Sequence, residues 1–63
     1  MSLKNFEVAR KAALAARSCL HEATKDGEEG QRAVARLRVD QVSELIHALS
    51  RDVAFIRDQE RKS

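Results

Sequence analysis

The segment VDQVSELIHALSRDVAFI, residues 39–56, carries the strongest pattern in this 63-residue chain. Six of its aliphatic side chains recur at alternating spacings of three and four residues: Val39, Val42, Ile46, Leu49, Val53 and Ile56. This spacing places all six on one stripe of an α-helix. Such a stripe must be covered by other apolar surface, so the segment predicts a helix that packs against neighbouring helices.

The helix that contains this segment is the second of two predicted in the chain. It is predicted to run from about residue 28 to residue 58, because neither proline nor glycine follows Gly30. An alternative breaks it at Asp40, where the aspartate could cap a new helix. The continuous helix is favoured because the apolar stripe passes straight through Asp40. The charged residues 58–63 are expected to fray in solvent.

A first helix is predicted over residues 3–24, with Ser2 as its N-cap. Its stripe is rich in alanine, which forms helices readily and lets a partner approach closely but buries little apolar area. The residues of the stripe, with two at its margin, are Phe6, Ala9, Ala13, Ala16, Leu20 and Ala23, then Ala12 and Cys19.

Residues 25–30 interrupt both patterns and predict a turn. Gly27 is expected to end the first helix in the left-handed conformation, and Asp26 with Glu29 has the spacing of a capping box. Because the connection is short, the two helices are expected to be antiparallel neighbours in a single helical-hairpin domain.

The apolar arc of the second helix is wider than one alanine-rich helix can cover, since Val34, Leu45, Ala48 and Phe55 extend it to one side. The predicted fold is therefore all-α, an antiparallel helical hairpin that forms a homodimeric four-helix bundle. Its dimer core is predicted to contain Phe6, Leu20, Val39, Val42, Leu45, Ile46, Leu49, Val53 and Ile56.

Composition excludes several classes of protein. One cysteine allows no internal disulfide and favours a reducing, cytoplasmic location. The longest apolar runs are far shorter than the roughly 20 residues that span a bilayer, and the N-terminus lacks the pattern of a signal peptide. The net charge of +2 is too small to indicate nucleic acid without regard to its distribution.

Two spacings could suggest chemistry. Glu44 and His47 match the Glu-x-x-His pattern of di-iron bundles, but the apolar residues between them predict that both face water. Cys19 and His21 lie two apart on a helix and therefore do not converge. Cys19 is expected to be a small buried residue and His21 to be exposed. No catalytic, metal or cofactor site is predicted, and the protein is expected not to be an enzyme.

Cationic residues form a longitudinal strip on the first helix, with one exposed leucine among them. This strip could bind nucleic acid, above all structured RNA read by its shape, or could be an ordinary solvated face. Its members are Lys4, Arg10, Lys11, Leu14, Arg17 and Lys25.

This layout, a short dimerising hairpin with lysines around an exposed apolar residue, resembles the Rop family of plasmid RNA-binding regulators. The resemblance implies that Lys4, Lys11, Leu14 and Lys25 contact RNA. Leu14 stands where that family has an aromatic residue.

A second apolar group, Val34, Leu37 and Phe55, lies away from or at the margin of the main stripe. It either completes the dimer core or binds another protein. The favoured hypothesis is a small non-enzymatic regulatory or accessory protein, of the kind phages and plasmids encode, that acts through protein contacts. The alternative is an RNA- or DNA-binding regulator that uses the cationic strip.

Overall fold

The computed structural model describes residues 3–62, which form an antiparallel pair of helices. Helix α1 spans Leu3–Asp26 and helix α2 spans Glu29–Lys62. The predicted all-α hairpin is confirmed. The turn shrinks from the predicted six residues to two, because both helices continue into it. The predicted cap at Ser2 lies outside the described residues.

Helix α2 is continuous through Asp40, so the alternative with a break at that residue is wrong. Helix α2 also extends four residues beyond its predicted end at residue 58, to Lys62. Lys62 Nζ lies 3.2 Å from Asp58 Oδ2, one helical turn earlier. An acidic residue four positions before a basic one supports a helix, and cations in the last turn complement its dipole.

The turn caps α2 two residues later than predicted. Asp26 still belongs to α1, and Glu29 is the first residue of α2. The Glu28 backbone N–H donates to Gln31 Oε1 at 3.0 Å. This is the half of a capping box in which the third helical residue reaches back to the residue before the helix. The capping pair is therefore Glu28 with Gln31, and the predicted pair of Asp26 with Glu29 is wrong.

Gly27 serves the turn through its small size. No glycine in residues 3–62 has a positive φ, so the predicted left-handed conformation is wrong. A Cβ at Gly27 would lie 3.0 Å from the Ala23 carbonyl oxygen and 3.1 Å from Gln31 Cβ. The Gly27 carbonyl also accepts a hydrogen bond from Arg32 Nη1 at 3.1 Å. The absence of a side chain lets the two helix ends approach closely.

The helices meet along a seam that follows three-four spacing on both. On α2 the seam is the predicted stripe, and every one of its six residues is buried or half-buried. On α1 the seam is rotated from the alanine stripe, because Ala9 and Ala16 are exposed while Arg10 and Arg17 are half-buried. The α1 seam contains Leu3, Phe6, Arg10, Ala13, Arg17, Leu20 and Thr24.

The buried core of this hairpin is thin. Within residues 3–62 the buried hydrophobic side chains are those of Ala13, Ala35, Ile46 and Val53. The radius of gyration is 14.8 Å, whereas a compact domain of this length has about 11 Å. The accessible surface is 4847 Å², compared with roughly 4,100 Å² for a compact monomer of the same mass. One hairpin therefore exposes more surface than a self-sufficient domain of its size.

Candidate interaction surfaces

The seam has two different sides, and the contacts between helices identify them. At the turn end, a groove on one side is lined by Ala23 from α1 and Val34 from α2. On the other side, Arg57 Nη2 of α2 donates to Glu7 Oε1 of α1 at 2.6 Å. Residues seven positions apart share a side of a helix in such a pair. The rest of each side follows from these two contacts and from a second groove on the first side, which Phe6 and Asp52 border.

The first side, here called the apolar face, is almost free of charge over its central part. The α1 contribution consists of small residues, and the α2 contribution includes three large exposed side chains. Phe55 is 64% exposed and Leu45 is 51% exposed. The apolar face consists of Ala9, Ala12, Ala16, Cys19 and Ala23 on α1 and Val34, Leu45, Ala48 and Phe55 on α2.

Two charged residues interrupt the apolar face between Val34 and Phe55. Arg38 lies seven residues before Leu45, and Asp52 lies seven residues after it. Arg38 Nη1 donates to Gln41 Oε1 of the same helix at 2.5 Å. Asp52 is exposed and has no ion pair within residues 3–62. These two charges and Gln41 are the polar positions of α2 on this face between Val34 and Phe55.

A groove lies at each end of the apolar face. The groove at the turn end has a volume of about 560 Å³, and small residues such as Ala23, Gly30 and Ala35 line it. The groove at the opposite end is smaller, about 230 Å³, and is bordered by Phe6 and Phe55. Apolar surface of this extent and position is typical of a surface that another molecule covers.

The second side, here called the basic face, carries lysine and arginine. On α1, exposed lysines lie beside Glu7 and His21, which border the seam on this side. These lysines are Lys4, Lys11 and Lys25. Arg36 of α2 is exposed next to His21 of α1 across a shallow groove. These four cations, from both helices, therefore lie on one side of the hairpin, opposite the apolar face.

The predicted nucleic-acid residues divide between two environments. Lys4, Lys11, Leu14 and Lys25 are exposed, as predicted for a contact surface. The two arginines of the set are half-buried in the seam. An arginine can line a seam with its aliphatic stem while its guanidinium reaches water, so these two side chains also contribute to helix packing.

The predicted protein-binding residues do not form one patch. Val34 and Leu37 are both exposed and lie one helical turn apart near the interhelical turn. Phe55 is also exposed, but it lies 18 residues after Leu37, a distance of about 27 Å along the helix axis. Leu37 points away from both faces, on the outer edge of α2.

The residues of the predicted dimer core differ in their exposure within one hairpin. Ile46 and Val53 are buried, and Leu45 is exposed. The remaining members are half-buried: Phe6, Leu20, Val39, Val42, Leu49 and Ile56.

The residues considered for chemistry are separate surface groups. Cys19 is exposed on the apolar face, so its predicted burial is wrong within one hairpin, because the seam is rotated away from it. His21, Glu44 and His47 are exposed, as predicted. In the described part of the chain, no three histidine, cysteine or acidic residues cluster as a metal site would require.

Two surface residues escaped the sequence analysis. Val8 is exposed on the outer edge of α1, and Arg36 extends the basic face onto α2. Arg36 could have been found by extending the seven-residue repeat from Arg57 to the turn, once the direction of the seam was known. Val8 had no signal, because a single exposed valine is common on protein surfaces.

Comparisons with protein families, curated proteins and solved structures found no match to this chain. The resemblance to the layout of Rop therefore stays a prediction. Across residues 3–62, neither helix combines the length and the apolar character needed to cross a membrane.

Proposed function

We propose that this protein is a homodimeric four-helix bundle that serves as a small non-enzymatic regulatory or accessory protein through contacts with another protein. The apolar face supports the dimer. Leu45 and Phe55 are more than half exposed on it, beside an alanine-rich strip of the other helix. Burying apolar surface contributes about 25 cal/mol per Å², so covering this face would stabilise a hairpin whose own core is thin.

A second copy is the simplest cover, because it brings an identical face. In a two-fold dimer the same surface of each protomer meets its counterpart. The hairpin exposes on the order of 700–800 Å² more than a compact monomer of its mass, which is close to the roughly 800 Å² that each partner buries in a standard interface.

Sedimentation velocity across micromolar concentrations, combined with thermal melts, tests the dimer. We expect a species of twice the chain mass and a melting temperature that rises with protein concentration, since association stabilises the folded state by mass action. A cooperatively melting single copy at all concentrations would contradict the proposal.

The protein-binding role uses the outer edge of α2. When the apolar faces are paired, Leu37 stays outside the bundle, because it lies away from both faces. It is 53% exposed, and an exposed leucine at a helix edge suits contact with an apolar groove of a partner. Affinity capture from the native host tests this role: the wild-type chain should retain a protein that the Leu37→Asp variant loses, with or without nuclease.

Nucleic-acid binding is the second candidate, and the basic face favours it. Lys11, Lys25 and Arg36 lie on one side of the hairpin and stay exposed when the apolar face is covered. Cations that track a phosphate backbone give binding with a steep salt dependence. The Lys11→Glu, Lys25→Glu double variant should then lose binding to structured RNA or duplex DNA, measured by anisotropy at several salt concentrations. If only protein contacts matter, wild-type chain should show no such binding.

A further inference from the structure

The apolar face contains a specific register for its own pairing, an inference that rests on the proposed dimer. We propose that the second copy packs with α2 antiparallel to its own counterpart, so that the two Leu45 side chains meet on the two-fold axis. The axis then runs perpendicular to the helices, and the two turns lie at opposite ends of the bundle. Two independent features of the face lead to this same register.

The first feature is the position of the charges. Arg38 and Asp52 are each seven residues from Leu45, on opposite sides of it and on the same side of α2. In two antiparallel helices that meet at Leu45, the chains run in opposite directions from that point. A residue seven positions before Leu45 in one copy therefore lies opposite the residue seven positions after Leu45 in the other. Arg38 of each copy then faces Asp52 of the other copy. The dimer therefore contains two such pairs of opposite charges.

The second feature is the fit between a protruding side chain and a groove. Phe55 is ten residues after Leu45, and Ala35 is ten residues before it. The register therefore places Phe55, 64% exposed in one hairpin, over Ala35 of the partner copy. Ala35 is buried at the 560 Å³ groove, where Ala23 and Gly30 leave room for a ring. The large apolar side chain with the greatest exposure in residues 3–62 thus meets a groove in which four of the seven lining residues are alanine or glycine.

The lengths of the helices agree with this centre. Leu45 is the 17th of the 34 residues of α2, so pairing there overlaps the two copies of α2 along their full length. The grooves show that Phe6 lies level with residues 52–56 and that Thr24 lies level with Val39. Ala16, about midway between those levels, is therefore near the axis on α1. Alanine there lets the two α1 helices approach closely, as small residues do at helix contacts.

A charge-swap experiment on the full chain tests the register. In the Arg38→Asp variant, each of the two contacts between positions 38 and 52 brings two carboxylates together. In the Asp52→Arg variant, each of these contacts brings two guanidinium groups together. Each variant should self-associate about tenfold or more weakly than wild type, measured by sedimentation equilibrium. An equimolar mixture should restore a dimer that contains one chain of each, identified by native mass spectrometry, because every pair in that heterodimer joins opposite charges. The Asp40→Arg variant, altered on the side of α2 that borders the basic-face groove, should associate like wild type.

A crosslink provides a second measurement that does not depend on charge. In a Cys19→Ser background, Leu45→Cys should form an intermolecular disulfide under mild oxidation, since residues on the axis of packed helices come within the 4.4–6.8 Å between Cα atoms that the bond needs. Asp40→Cys in the same background, on the side of α2 that borders the basic-face groove, should not crosslink at micromolar concentration.

The outcomes separate the register from the dimer itself. A wild-type monomer overturns both proposals. A wild-type dimer whose charge variants show no rescue on mixing, and whose Leu45→Cys chain does not crosslink, overturns the register and leaves the dimer. The remaining arrangements would include one in which α1 of one copy packs over α2 of the other, where Arg38 and Asp52 do not meet.

Discussion

The apolar face and the basic face border the same seam, and they differ in what they offer to a partner. On the apolar face, alanines of α1 lie beside Leu45 and Phe55 of α2, and its two charges have no opposite charge within the described hairpin. On the basic face, the acid Glu7 is already paired with Arg57 at 2.6 Å, and lysines extend into solvent. The basic face is complete in one hairpin, whereas the apolar face is not.

This comparison also shows that exposure in one hairpin does not define the role of a residue. Leu45 and Leu37 are the same residue type in the same helix, 51% and 53% exposed. Only Leu45 lies on the apolar face. Its neighbours across the seam, together with its position midway along α2, distinguish it from a leucine at the outer edge.

The largest expected effect comes from placing a charge on the apolar face. Leu45→Asp would bury an unpaired carboxylate in each copy of the interface, at a cost of about 3–5 kcal/mol. We expect the dimer to weaken by roughly a hundredfold or more, measured by sedimentation equilibrium. Leu37→Asp is the matched control and should leave the dimer unchanged. If the two substitutions weakened the dimer equally, the assignment of Leu45 to the interface and of Leu37 to the outer edge would be wrong.

The next effect concerns the edge where the seam meets the apolar face. Leu49 is half-buried in one hairpin, and the proposed pairing of the apolar face would cover it further. Leu49→Ala should therefore cost roughly 2–5 kcal/mol in the free energy of unfolding and reduce the dimer population, measured by urea denaturation at two protein concentrations. A loss that is independent of protein concentration, in a chain that stays monomeric, would indicate that the face remains uncovered.

The turn, where both faces end, should respond differently to the same substitution at two glycines. Gly27→Ala places a Cβ 3.0 Å from the Ala23 carbonyl oxygen and should cost about 1–3 kcal/mol. Gly30→Ala meets no atom within 4 Å and replaces glycine inside a helix, which favours folding by roughly 0.5–1 kcal/mol. Thermal melts of both variants give the comparison. Destabilisation by Gly30→Ala but not by Gly27→Ala would reverse the assigned roles.

The smallest effect is expected on the basic face. Glu7→Gln removes the ion pair with Arg57. The side chain of Glu7 is 35% exposed and that of Arg57 is 55% exposed. Exposed pairs of this kind contribute about 0.2–1 kcal/mol and are screened by salt. The melting temperature should fall by only a few degrees at low salt, and the difference should shrink in 1 M salt. A loss as large as that of Leu49→Ala would mean that the basic face is part of the core.

Local pattern predicted most of the hairpin. Periodicity placed α2 and kept it continuous through Asp40, and it identified the α2 side of the seam. Helix ends were less accurate, because they depend on individual hydrogen bonds such as that from Glu28 N–H to Gln31 Oε1. Gln31 carries no feature that separates a capping glutamine from an ordinary helical one.

The rotation of α1 about its own axis was beyond the reach of the pattern. Phe6, Ala13 and Leu20 belong both to the alanine stripe and to the observed seam, so spacing permits either. The seam takes in Arg10 and Arg17 because their stems can pack while their charged ends reach water. Cys19 and three alanines, Ala9, Ala12 and Ala16, are consequently left exposed, and the two faces differ in composition.

The sequence by itself determined two helices, a short antiparallel turn between them and a surplus of apolar surface on α2, because these follow from residue spacing along one chain. Only the tertiary structure decided which side of the seam each residue occupies. That assignment depends on where the other helix lies, since a side chain at the edge of a stripe is covered or exposed according to its neighbour across the seam and not according to its own position in the repeat.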